Sequence, residues 1–226
     1  MPKIVLHQWE MSPFCNKVRR ALRHKGLTFE VVNYNGLRAL EAGKLSAVGT
    51  LPVLDYDGER VVDSTAICEL LDRRVPFPPL YPTDPAALAM VRFWEDWAAQ
   101  SLYFFEIYFR MLDPVAMEKA LDLVCAGRPA YERVLMRAVL KRRYPKKLHQ
   151  QGLGKLSPAE VERRFVQHLE GLEALLEKGS FLVGDTLTAA DLAVVGQLDE
   201  LVRTSRLAGR IRGFPRLAAW LDRAPG

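Results

Sequence analysis

Cysteine is scarce. Cys15, Cys68 and Cys125 are the only three in 226 residues, odd in number and far apart, which excludes a disulfide framework and points to a reducing compartment. No stretch approaches the roughly 20 apolar residues of a membrane span, so no membrane association is expected. The apolar part of the opening run, Met1 to His7, is too short for a signal peptide. A cytoplasmic location is the resulting expectation. His7, His24, His149 and His168 have no spacing suited to a metal ion, and none is expected. There is no Walker loop and no recognised nucleic-acid motif. Apolar residues at 49% and charged residues at 26% describe an ordinary globular chain, long enough for two domains.

The net charge of +5 is unevenly spread. Residues 128–147 hold eight basic side chains against one acid, Glu132, an excess larger than that of the whole chain. Such a run can bind nucleic acid or an anionic surface, but a solvated helix face is its commoner meaning. Nucleic acid is therefore not expected as a partner.

Residues 1–75 alternate strand and helix. Ile4-Val5-Leu6 reads as a strand, Pro13 to Lys25 as a helix closed by Gly26, and Thr28 to Tyr34 as a second strand. A weak helix follows over 36–45. The residues flanking Asp57-Gly58 form a hairpin, because that pair supplies the positive φ angles of a type I′ turn. Ser64 to Arg74 is a third helix. The order is β-α-β-α-β-β-α. Five prolines within 76–85 then mark a stiff linker and a domain boundary. From 86 to 226 no strand signal is convincing. One long helix is expected over 86–112 and another from Pro114, broken near Gly127-Arg128-Pro129. Ser157-Pro158-Ala159-Glu160 reads as a capping box, and Thr188-Ala189-Ala190-Asp191 opens a further helix with Leu187 and Leu192 as a hydrophobic staple. A last helix covers 214–223.

Three short features carry possible chemistry. Ser12-Pro13-Phe14-Cys15 follows the first strand and opens the first helix, where free N–H groups and the helix dipole favour anions and thiolates. An ordinary cap explains Ser12 and Pro13 equally well. Pro52 opens a strand, either as a common trans proline or as a cis proline that exposes the preceding residue's backbone to an extended peptide. Asp63 and Ser64 stand at another strand-to-helix junction, where they cap the helix or grip an amino acid's amine and carboxylate.

The ordered combination of Ser12-Pro-Phe-Cys15, Leu51-Pro-Val-Leu54 and Asp63-Ser-Thr-Ala-Ile67 resembles the thioredoxin-like half of a cytosolic glutathione S-transferase. Residues 181–191 and 214–221 resemble the folding motif and the terminal helix of that family's all-helical half. The resemblance implies an α/β thioredoxin-like domain over 1–75, a linker over 76–85 and an all-α helical bundle over 86–226. It implies a homodimer that uses glutathione as co-substrate against a small, hydrophobic electrophile. Ser12 then takes the catalytic position and hydrogen-bonds the glutathione sulfur. Leu51, before a cis Pro52, pairs with the cysteinyl part, and Asp63 with Ser64 holds the γ-glutamyl end. Arg38 and Lys44 are the candidates for the glycyl carboxylate.

Eight of the chain's 21 aromatic residues lie between Phe93 and Phe109, in the helix that lines the acceptor pocket in that family. Phe93, Trp94 and Trp97 fit core packing; Tyr103, Phe104 and Tyr108 are the pocket candidates. Two rivals remain: a glutathione-dependent thiol-disulfide oxidoreductase using Cys15, and a non-catalytic scaffold that binds protein or RNA through 128–147.

Overall fold

A computed structural model describes residues 2–225. Four strands form one mixed sheet in the order β2-β1-β3-β4: β1 (Ile4–Gln8), β2 (Glu30–Asn33), β3 (Val53–Tyr56) and β4 (Glu59–Val62). β1 and β2 are parallel and joined through α1 (Pro13–His24), while β1–β3 and β3–β4 are antiparallel. The β3–β4 turn is the expected one, with φ of 48° at Asp57 and 87° at Gly58. Leu6 pairs with Val31 on one side and Leu54 on the other, so the sheet centre is apolar. Residues 36–44 form a 3₁₀ helix rather than an α-helix, and α2 (Ser64–Arg74) follows β4.

The second half is helical: α3 (Pro85–Trp97), α4 (Tyr103–Met111), α5 (Pro114–Val124), α6 (Ala130–Gln151), α7 (Pro158–Leu175), α8 (Ala189–Thr204), α9 (Ala208–Arg212) and α10 (Pro215–Arg223). The single helix expected over 86–112 is in fact two. Residues 98–102 form one widened π turn, with the Tyr103 N–H reaching back to the Ala98 carbonyl. Such turns re-aim the side chains that follow them. The capping box expected at Ser157 is half made. Ser157 Oγ accepts from the Glu160 N–H, but the Glu160 carboxylate turns to Arg163 and Arg164 instead.

α8 is the axis of the molecule. Its residues 189–198 are all buried, and it packs against α1, α3, α4 and α5. Gly196 is required there, because a Cβ would stand 2.7 Å from the Pro13 carbonyl oxygen at the start of α1. The proline-rich linker is held down by Lys25, whose Nζ donates to Asp72 at 2.6 Å and to the Val75 and Pro78 carbonyls at 2.7 and 2.5 Å.

The start of α8 is fixed by Asp191, which is fully buried. Its carboxylate accepts from the Leu182 N–H (2.9 Å), the Thr188 N–H (2.9 Å), the Thr188 hydroxyl (3.0 Å) and the Trp220 indole (2.9 Å). It joins the loop before α8 to α10. Asp191→Ala strands several of these buried donors, each at roughly 1–3 kcal/mol. The expected cost is about 3 kcal/mol or more, a fall of roughly 6–12 °C in the thermal midpoint of a chain this size. Thr188→Val should cost less, about 1–2 kcal/mol, since it removes one donor to Asp191 and the cap on the Asp191 N–H but leaves Asp191 its other partners. A loss below that for Asp191→Ala in denaturant titrations would show that the carboxylate is not the junction.

Candidate active site

Two helix N-termini lie beyond the C-terminal ends of β1 and β4. Ser12 caps α1 in extended conformation (φ −82°, ψ 122°), and its hydroxyl oxygen accepts from the Cys15 N–H at 3.3 Å. This is the ordinary cap, and it uses an oxygen lone pair rather than the hydroxyl proton. Asp63 caps α2 at φ 80°, its Oδ1 accepting from the Thr65 and Ala66 N–H groups at 2.8 and 3.1 Å. The Ser64 N–H and hydroxyl have no partner among the described residues. A cavity of about 60 Å³ between the halves is walled by Pro13 and Phe14 from the start of α1 and by Asp63 and Ser64 from the start of α2. The first residues of α1, next to Ser12, and the α2 cap therefore border common space.

The Leu51–Pro52 peptide bond is cis, and the Leu51 N–H and C=O have no partner among the described residues. Pro52 is buried just ahead of β3, whose Val53 pairs with His7 of β1. An extended peptide can thus add along Leu51. Arg38 and Lys44 lie on the 3₁₀ segment. The Arg38 guanidinium sits 5.1 Å over the Tyr34 ring, and Lys44 is exposed. Glu132 of α6 positions that segment by accepting from the Leu37 N–H at 2.9 Å, and a Cβ on Gly36 (φ 59°) would run into its carboxylate.

Three features of the site were not visible in the sequence. Lys17 is buried with Glu95 (2.5 Å) beneath the α2 cap, and both join Thr65, with Tyr81 donating to the same Glu95 oxygen. The other Glu95 oxygen is buried without a partner among the described residues, and Glu95 is one of the residues that line the cavity. Arg110 of α4 donates to the Met11 carbonyl at 2.7 Å, and so holds the residue before Ser12. Lys147 of α6 stands over Tyr103 and Phe104. Each is a pairing across a long stretch of chain, for which local pattern carries no signal.

The aromatic candidates divide. Phe14 meets Tyr103 with ring centroids 5.1 Å apart, and Tyr103 meets Phe104 at 5.6 Å, so these three form one surface beside Ser12. The ring contact of Tyr108 is with Phe109. The core assignment of Phe93 is overturned. Phe93 is 69% exposed, and Trp94 and Trp97 are only half-buried along an outer groove between α3 and α7. Trp94 and Trp97 still pack against the core from one side, while Phe93 faces solvent.

Neither rival gains from the geometry. Cys15 is fully buried, and burial pushes its thiol up to about 11 against the smaller opposing effect of the Ser12 hydrogen bond. Burial raises Cys68 likewise, to about 12. A thiolate at helix position N3, under the cap rather than at it, is not available for attack. In the basic segment, Arg128 pairs with Glu132, and Arg133 and Arg137 pair with Glu118. Treating the native protein with an aromatic disulfide reagent at pH 8 should therefore modify Cys125 first, because it alone is partly exposed. Cys125→Ser should abolish the fast phase. A fast phase that survives in Cys125→Ser and disappears in Cys15→Ala would restore the thiol-exchange reading.

Among the described residues there is no cluster suited to a metal ion and no helix long and apolar enough to cross a membrane. Residues 6–79 match the family model of the glutathione S-transferase N-terminal domain, and residues 128–223 match that of the C-terminal domain. The chain is 30% identical over 142 residues to a maleylacetoacetate isomerase of Mus musculus, covering 59% of this chain and 66% of that one. It is 29% identical over 129 residues to a glutathione S-transferase of Pseudomonas putida, covering 54% and 59%. The matched stretch is thus less than two thirds of either relative's own length. In fold it is similar to a beta-etherase from Sphingobium (TM-score 0.67, 24% identity, 98% and 94% of the two chains). It is also similar to a glutathione S-transferase from Methylobacillus flagellatus solved with GSH bound (TM-score 0.61, 23% identity, 97% and 93%). The two family models together take in more than half of the sequence, and the chain belongs to the glutathione S-transferase family.

Proposed function

We propose that this chain is a glutathione transferase of the serine type, acting in the cytoplasm as a homodimer on a small, hydrophobic electrophile. One observation carries the reading: the first residues of α1, directly after Ser12, share the wall of one cavity with the Asp63 cap and Ser64 at the start of α2. That arrangement suits a short peptide with an α-amino acid at one end and a thiol in the middle. The Asp63 carboxylate receives the ammonium of the γ-glutamyl end, while the Ser64 N–H and hydroxyl receive its carboxylate at the positive end of α2. The Leu51 backbone pairs with the cysteinyl unit. The glycyl carboxylate falls to Arg38 or Lys44 on the 36–44 segment.

Ser12 then donates its free proton to the glutathione sulfur, and the dipole of α1 adds to the stabilisation of the thiolate. The thiol proton passes to solvent. The sulfur attacks the electrophile, forming the S–C bond as the leaving group departs or the acceptor's double bond takes up the electron pair. No sulfur–sulfur bond is made at any stage, in keeping with the buried state of Cys15.

A hydrogen bond to a charged group contributes roughly 1.5–3 kcal/mol. At one factor of ten per about 1.4 kcal/mol, Ser12→Ala should lower the turnover of conjugation about 10- to 100-fold. The apparent pKa of the bound thiol, read from thiolate absorbance, should rise. Glutathione affinity should change far less, since Leu51, Asp63 and Ser64 are intact. Loss of the cap to Cys15 N–H costs about 1 kcal/mol of stability in the Ala variant and less in Ser12→Gly, which separates folding from chemistry. Full activity in both folded variants would reduce Ser12 to a cap.

A further inference from the structure

Beyond Ser12, the aromatic surface made by Phe14, Tyr103 and Phe104 ends at a cation. Lys147 is half-buried, with its ammonium 4.5 Å from the Tyr103 ring centre, 5.5 Å from that of Phe104 and 3.3 Å from the Tyr103 hydroxyl. All of these groups are neutral, and among the described residues no carboxylate lies within ion-pair distance of Lys147. The acid whose field reaches it, Glu106, is fully buried and already held by Arg110 at 2.5 Å. Arg143, one turn earlier on α6, also has no carboxylate partner among the described residues. Like charges four residues apart on a helix repel. Burial and then Arg143 lower the proton affinity of Lys147.

The contrast lies within one helix. Arg128 just before it and Arg133 and Arg137 in its first half each reach a carboxylate, whereas among the described residues the cations of its second half reach none, and of these only Lys147 is half-buried over the rings. A half-desolvated ammonium with only ring faces and a phenol around it is short of an anion. The surface that leads to it begins two residues from Ser12, through the 5.1 Å contact of Phe14 with Tyr103.

We propose that the electrophile carries a carboxylate, which Lys147 receives with help from Arg143 while the electrophile's apolar body lies on Phe14, Tyr103 and Phe104. This rests on the glutathione-transferase reading and narrows its acceptor to anionic compounds. The group that meets sulfur then lies at the Ser12 end, and the acid group at the α6 end. With an aryl chloride the step is complete in itself. The thiolate forms a bond to the ring carbon, the carbon–chlorine bond breaks, chloride leaves, and the thiol proton goes to solvent.

The probes are 4-chloro-3-nitrobenzoate and its uncharged amide, 4-chloro-3-nitrobenzamide, with each conjugation rate divided by its uncatalysed rate. The wild-type protein should favour the benzoate about 2- to 5-fold in kcat/KM, mainly through KM, since one ion pair still open to solvent corresponds to roughly this factor. Lys147→Met should bring the ratio near one, Lys147→Arg should keep most of it, and Arg143→Gln should lower it in part. Equilibrium dialysis of the same two compounds in the absence of glutathione gives a readout free of turnover. Tighter binding of the benzoate, lost in Lys147→Met, supports the proposal even if neither compound is conjugated, in which case only the transferase reading fails. Equal binding and equal normalised rates for the two probes overturn it. So does a Lys147→Met variant that raises the KM for glutathione and leaves the benzoate preference intact, because the ammonium would then serve the glycyl carboxylate.

Discussion

The site depends on one buried guanidinium. Arg110 is 2% exposed, yet its Nη1 donates to the Met11 carbonyl at 2.7 Å and lies 3.3 Å from Glu200, while its Nη2 meets Glu106 at 2.5 Å. Three elements are tied at that point: the loop that presents Ser12, helix α4 with the aromatic surface, and helix α8. Glu200 extends the tie by accepting from the Asn16 amide on α1. Two carboxylates share one fully desolvated cation here, and burial lifts Glu106 to about 8 in spite of Arg110. Removing the guanidinium alone would leave Glu200 buried with less compensation, which is the costly way to break such a group. The approach of α1 to α8 at Gly196 belongs to the same constraint, since the start of α1 can sit this close only where α8 has no Cβ.

Capping and chemistry are not competing explanations at Ser12 and Asp63. A cap is an acceptor role, and the Ser12 oxygen fills it toward the Cys15 N–H. Thiolate stabilisation is a donor role, which the same hydroxyl can fill at once. At Asp63 one carboxylate oxygen takes both capped N–H groups, which leaves the second oxygen for a ligand. The φ of 80° at this non-glycine residue is backbone conformation that the local sequence alone would not adopt. Such positions collect at ligand sites, because the surrounding fold must hold them.

What the sequence made legible were features whose cause is local. Asp57-Gly58 dictates its turn, Ser12-Pro13 and Thr188 to Asp191 dictate their helix starts, and period-two and period-3.6 patterns dictate the sheet half and the helical half. The order of the short motifs carried the candidate site, because the residues of a cap and of a strand end are neighbours in sequence. The π turn at 98–102 was not legible, having neither glycine nor proline to mark it, although its Ala98 and Leu102 are both buried. Arg110 on Met11, Glu95 on Lys17 and Lys147 on Tyr103 were hidden for another reason. Each joins residues at least 44 positions apart, and a long side chain's partner is set by tertiary placement. Phe93 shows the converse, since helical spacing reports a stripe but not which stripe the fold will cover.

The basic segment shows how a charge count misleads until side chains are placed. As composition, residues 128–147 are a cationic run that invites a polyanion. As helix α6, the segment buries Met136, Leu140, Tyr144 and Leu148 on one face, so it is part of the bundle before it is a surface. Its first half is neutralised by Glu132 within the helix and by Glu118 and Asp122 of α5. The uncompensated charge is confined to the second half, and Lys147 within it is turned toward aromatic rings rather than toward water. A nucleic-acid surface needs its cations spread along a phosphate track with ordinary hydration. A single half-desolvated ammonium, set over two rings next to a candidate nucleophile site, is instead the geometry of a small-molecule subsite, in which one placed charge orients an otherwise apolar body.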